Sequence, residues 1–159
     1  MQKSASGRVR TLTTQLLPAW SIECSFPGLT DDEARTIFGF VNEIKGSHEP
    51  FYWLDPEDNR EDGIPLPPLG NNQYQAVMLV GGYAEAVDYI DNVRVFINGT
   101  ETTAYSVNGG VITLNSATNG TVTASYTYYW KVMLSDDGFA FKRVYKNINK
   151  ASFKLEVVR

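Results

Sequence analysis

One cysteine and one histidine are all that 159 residues hold of the two most versatile catalytic side chains. The single thiol, Cys24, excludes an intramolecular disulfide and fits a reducing compartment or a fold stable without bridges. The single imidazole, His48, is the only base that a nucleophile–His–acid triad could recruit. Set between Ser47 and Glu49-Pro50, it reads as a surface turn residue. No apolar run approaches the ~20 residues that span a bilayer. Residues 1–7 are small and polar and lack the apolar core of a signal peptide. The expectation is a soluble protein made and used without secretion. Basic charge is scarce too: 14 Lys and Arg against 18 Asp and Glu give a net charge of -4. A dedicated nucleic-acid binder carries a basic footprint instead. The P-loop, the dinucleotide fingerprint and a Cys/His metal cluster are all missing, and no cofactor is expected.

Apolar residues make up 43% of the chain, enough for a core without staples. Aromatics reach 13%, led by nine tyrosines, a composition that favours strands. The clearest strand lies over residues 121–134. Val122, Ala124, Tyr126, Tyr128, Trp130, Val132 and Leu134 share one parity, and Thr121, Thr123, Ser125, Thr127, Tyr129, Lys131 and Met133 the other. Period two predicts one buried and one wet face. Fourteen residues exceed the ~10 of a long ordinary strand. The excess suggests a subunit whose sheet serves a larger assembly, or a strand that bends near Tyr128-Tyr129 and serves two sheets.

Other strands are expected at residues 8–17, 20–26, 51–54, 74–80 and 153–158. A hairpin series turns at Asn98-Gly99, Asn108-Gly109 and Asn119-Gly120, the Asn-Gly pairs that type I′ turns select. Two of these turns are sequons, Asn98 and Asn119, and the turn chemistry explains both. One helix is expected. Thr30 and Glu33 form a capping box, and Asp31 and Asp32 favour the first turn. Ala34, Ile37, Phe38, Val41 and Ile44 form its apolar stripe, and Gly46 stops it. Gly39 sits inside it without an evident reason. From residue 55 to 73, Pro56, Pro65, Pro67 and Pro68 argue against a central strand, so this stretch is expected to be a surface arm.

The fold expected is therefore mainly β (α+β): an antiparallel β-sandwich or meander with one capped α-helix packed on the sheet. Residues 1–54 hold the N-terminal strands and helix, 55–73 the Pro- and acid-rich loop, and 74–159 the hairpin region, together one domain or two tightly packed halves.

Candidate chemistry is sparse. Cys24 lies on the apolar parity of its strand and reads as a buried structural thiol. Asp55, Glu57, Asp58, Glu61 and Asp62 lack the spacing of a calcium loop. They read as an acidic surface, opposite in sign to Lys142, Arg143, Lys146 and Lys150 near the other end. Together with Tyr129 and Lys131, these eleven residues are the candidate subunit or partner interface, the basic end of one copy facing the acidic loop of the next. No catalytic, cofactor-binding or metal residue is expected. Trp20, Trp53, Trp130 and the tyrosines would suit a sugar-binding platform, or else core and subunit contacts.

The order of these pieces resembles the short tail-tip proteins of long-tailed bacteriophages and gene transfer agents, relatives of distal tail or minor tail proteins. The resemblance runs through Trp20-Ser21-Ile22-Glu23-Cys24, the helix opening Leu29-Thr30-Asp31-Asp32-Glu33 and the aromatic Phe51-Tyr52-Trp53-Leu54-Asp55-Pro56. It continues in Val93-Arg94-Val95-Phe96-Ile97-Asn98-Gly99, Gly110-Val111-Ile112-Thr113-Leu114 and the closing Leu155-Glu156-Val157-Val158-Arg159. It implies a structural virion protein assembled in the host cytoplasm. Its ring, often sixfold, joins the tail tube to the hub, and DNA passes through without specific binding. The partners implied are copies of itself and the tail-tube, tape-measure and hub proteins, with no membrane. No functional residue carries over from the family. A carbohydrate-binding β-sandwich that recognises a host-surface glycan is the alternative.

Overall fold

The computed structural model describes residues 19–158 and two short stretches before them. These are β1 (Gln2–Lys3) and β2 (Val9–Arg10), paired antiparallel. The remainder of the strand expected over residues 8–17 lies outside the described residues. Then come β3 (Ser21–Leu29), α1 (Asp31–Glu43), β4 (Phe51–Trp53), β5 (Arg60–Pro65), β6 (Pro68–Gly70), β7 (Gln73–Gln75), β8 (Val77–Val80) and β9 (Tyr83–Ala86). The chain ends with β10 (Tyr89–Ile97), β11 (Thr100–Thr102), β12 (Tyr105–Asn108), β13 (Val111–Leu114), β14 (Val122–Tyr145) and β15 (Ile148–Val157). The fold is mainly β, with antiparallel sheets packed against each other and one 13-residue helix.

β14 organises everything. It runs for 24 residues, a contour of about 80 Å at ~3.3 Å per residue. A compact chain of this length measures only about 40 Å across. Its first half lies between β10 and β5, which both pair with residues such as Thr123, Ala124 and Thr127. Further on, Val132 lies between Phe51 of β4 and Val157 of β15. The partners change at Tyr129 and Trp130, so one strand does serve two sheets.

Two expectations are corrected here. The strand does not stop before Asp136. It passes through an irregularity between Leu134 and Phe139 and continues to a tight turn at Lys146-Asn147, where Tyr145 faces Ile148. Asn147 has φ 57°, so a left-handed residue closes this hairpin without glycine. The meander also gives way to a crossover. After the Asn98-Gly99 hairpin, β12 and β13 join β7 and β6 in another sheet, and β14 returns to pair with β10 rather than with β13.

The stretch 55–73 is not a free arm either. β5 pairs along β14 and places Ile64 in the core, and Leu66 just after it is buried as well. The prolines are tolerated because Pro65 ends β5 and Pro68 begins β6, where ladder donors are dispensable.

The alternation of β14 holds. Val122, Ala124, Tyr126, Tyr128, Val132 and Leu134 are buried and Trp130 is half-buried. The first four join Val95, Ile112 and Leu114 in one core between the sheets, while Val132, Leu134 and Leu155 found a second. Each such large side chain contributes about 1.5–3 kcal/mol by leaving water.

The helix begins as its sequence dictates. The Thr30 hydroxyl accepts from Glu33 N at 3.3 Å, and the Glu33 carboxylate accepts from Thr30 N at 2.8 Å. The bond from Thr30 N, with a second that the Thr30 hydroxyl donates to the same carboxylate at 2.9 Å, holds the Glu33 carboxyl below its ordinary pKa. The turn of the last hairpin supplies a further cap: Asn147 Oδ1 accepts from Asp31 N at 3.0 Å. Phe38 meets Phe139 and Phe141 edge-on, and Phe40 meets Phe51, so α1 sits against the second sheet through aromatic edges. Gly39 is helical and exposed, and a Cβ there meets nothing within 4 Å. Gly39→Ala should therefore stabilise the fold by up to about 1 kcal/mol. Thermal melting would measure the gain, and a lower Tm would refute it.

Candidate interaction surfaces

The acidic segment is held in a fixed shape. Asp55 Oδ1 accepts from Glu57 N at 2.9 Å and from Asp58 N at 3.3 Å. Tyr128 donates to Asp58 Oδ1 at 2.8 Å. Burial, with the Asp58 carboxylate next, pushes the Tyr128 hydroxyl well above its ordinary pKa. Glu61 Oε1 accepts from Leu79 N at 2.7 Å, and Asp62 pairs with Arg60 at 2.9 Å. Asp58 and Glu61 thus fasten the segment to its neighbours, Asp55 and Asp62 make their bonds within it, and Glu57 stands exposed. Among the described residues no three His, Cys, Asp or Glu side chains converge as metal ligands would.

Tyr129 and Lys131 lie half-buried on β14, on the parity opposite the core. Tyr129 joins two tyrosines that the sequence reading did not single out. Tyr89 stands edge-on to it at 5.3 Å, and Tyr52, the register partner of Lys131, lies 4.9 Å from Tyr89. Tyr52 is half exposed and Tyr89 nearly so. The three rings form one wet aromatic face across β4, β14 and β10. Tyr52 carried a signal, since it points opposite to Phe51 and Trp53 in an aromatic run. Tyr89 carried none until its register was known.

The basic residues gather at the far end of β14. Lys142 and Lys150 are cross-strand partners, and Lys146 is in the turn. Arg143 points back to Asp31 at 3.6 Å, while buried Asn149 donates to Asp31 Oδ1 at 2.8 Å. Arg143 therefore ties the hairpin to the helix start. Val144, Tyr145 and Ile148 are exposed around the same tip, Tyr145 at 72%.

His48 lies exposed in the turn after α1. Cys24 is only partly buried, and burial still pushes its thiol above the ordinary value, with Asp55 adding to the effect. A raised pKa leaves little thiolate at neutral pH, the reverse of a nucleophile. Beside Cys24, a mostly apolar depression of about 200 Å³ opens between α1 and the sheet, lined by residues such as Ile37, Phe40, Trp53 and Leu155. Phe26 and Phe40 are each about 40% exposed around it. Trp20, Trp53 and Trp130 are half-buried, and the last two pack on the core, so none stands out as an exposed sugar platform.

These surfaces hold aromatic edges and opposite charges. No protein-family model and no curated protein matches the chain.

Proposed function

We propose that the chain is a structural virion subunit of a phage tail tip, forming a ring that joins the tail tube to the tip hub around the DNA path. The reading is carried by β14, whose 24 residues far exceed what the interior of one small domain needs. Such a strand is a beam: it fixes an acidic shoulder near one end and a basic, apolar-tipped hairpin at the other. Exposed apolar side chains at the tip and beside α1 mark protein contact rather than open solvent. A net charge of -4 suits a conduit that repels phosphate. The order of strands, capped helix and aromatic strand that underlies the tail-tip resemblance supports the same reading. Its partners are further copies of itself and the tail-tube, tape-measure and hub proteins. Cryo-electron microscopy of native particles tests it. A ring of this subunit around the tail axis is the expected density, and particles whose tails lack the chain end the proposal.

The face of Tyr52, Tyr89 and Tyr129 favours a second reading, recognition of a host-surface glycan, since tyrosine pairs an apolar ring with a hydrogen-bonding tip. A glycan array separates the two. Binding abolished by Tyr52→Ala would favour the lectin-like role, and an array without hits would remove it.

A further inference from the structure

The sheet of β3, β15 and β14 has two unlike faces. Phe139, Phe153 and Cys24 are register partners on the face that meets α1. Ala140, Ser152 and Ser25 are the next partners along, so they share the opposite face. All three are small and exposed. They floor two adjoining depressions of about 420 Å³ and 340 Å³, both lined by Ser25, Ala140 and Ser152. At one end of this trough Lys154 faces Glu23 across the ladder, and the charges offset each other. At the other end Lys142 faces Lys150, and both are exposed. Like charges directly opposite each other weaken a sheet. Here they leave a concave, uncompensated positive site.

We propose that this trough is the receptor for the acidic segment, Asp55 to Asp62, of a second copy of the chain. Charge complementarity selects the occupant: five carboxylates against one arginine in the segment, two opposed lysines in the trough. Shape supports it. The segment is pinned by its own hydrogen bonds, so little ordering opposes its docking. A chain cannot fill its own trough. Its own Arg60 and Glu61 are held beside Thr127 and Tyr126 on β14, whereas the trough lies further along that strand, at Ala140 to Lys142. Donor and acceptor at different places on the chain give a heterologous contact, which repeats from copy to copy and closes into a ring when the rotation allows. This deepens the tail-ring reading by naming its subunit contact.

Sedimentation equilibrium of the whole chain tests it, with circular dichroism confirming that every variant is folded. The wild-type chain should self-associate, and at least tenfold more weakly when salt rises from about 0.05 M to 0.5 M. Lys142→Glu with Lys150→Glu should be monomeric, and so should Glu57→Lys with Asp62→Lys. Mixing these two variants sets the acidic segment of the first against the lysine trough of the second and should restore association, as pairs rather than longer assemblies. Ala140→Phe, which fills the trough from an exposed position, should abolish association without changing charge. A wild-type chain that stays monomeric at every concentration overturns the proposal, as do single-charge-set variants that associate like wild type. Trough variants that associate normally but lose binding to a short DNA duplex overturn it in favour of a phosphate site. Restored association in the mixture, alongside native tails that lack the chain, would keep this contact and sink the tail reading.

Discussion

Gly110→Ala is expected to cost about 3 kcal/mol or more and to leave little folded protein at 37 °C. The glycine is not in the left-handed region; the obstacle is space. A Cβ at Gly110 would stand 1.7 Å from Val87 O and 3.1 Å from Gln75 Nε2. Neither neighbour yields cheaply. Val87 N donates to Ala76 O at 3.1 Å, and Ala76 N donates to Gly110 O at 2.8 Å. The Gln75 side-chain amide reaches the carbonyls of Ala76, Val87 and Gly110 at 3.0–3.2 Å. Relief would have to pull apart the junction of β7, β13 and the segment leading into β10. Gly82→Ala serves as the control, since a Cβ there meets nothing within 4 Å. Urea unfolding of both variants should separate them clearly, and a Gly110→Ala midpoint equal to that of Gly82→Ala would show the junction to be soft.

The second large effect centres on Tyr126, which is 1% exposed. Its hydroxyl donates to Val77 O at 2.6 Å and accepts from Val77 N at 2.8 Å, locking the β8–β9 hairpin onto β14. Tyr126→Phe keeps the ring but strands a buried donor and a buried acceptor, at about 1–3 kcal/mol for each unsatisfied group. Tyr126→Ala adds a cavity and should cost about 3–5 kcal/mol. A pH signature accompanies the loss. Burial raises the Tyr126 hydroxyl above its ordinary value of 10.0. A raised folded-state pKa means the stabilisation is complete below pH 10 and is lost as the pH climbs above it. Wild type should therefore lose stability steeply above pH 10, and Tyr126→Phe should lose it less steeply because one titrating group is gone. Parallel alkaline limbs for the two proteins would refute the assignment.

Local chemistry made some of this fold legible. The Thr30–Glu33 box places the helix start, and the Asn98-Gly99 turn appears where Asn-Gly predicts it, with both residues at positive φ. The buried parity of β14 is visible because one face is wholly apolar. What stayed hidden depends on distant partners. Ser135, Asp136 and Gly138 look like a turn in isolation, yet β15 pairs across the irregularity they form and carries the strand onward. Pro65 and Pro68 disguise β5 and β6 because edge and terminal positions do not need their missing donors. The candidate surfaces follow the same division. The charge blocks could be seen in the sequence, whereas Tyr52 meets Tyr89, and Ser25 meets Ser152 and Ala140, only once register is set.

The pairing of β3 with β15 has a consequence for synthesis. Leu29 and Asn149, in contact across these strands, are 120 residues apart. At ~5–20 residues per second, a ribosome needs roughly 6–24 s to travel that far. For that interval β3 lacks its ladder, and α1 lacks the asparagine that completes its cap. The nascent chain thus carries an aromatic helix and an unpaired strand before its last hairpin exists. A message truncated before residue 148 yields a chain in which β3 has no β15 to pair with.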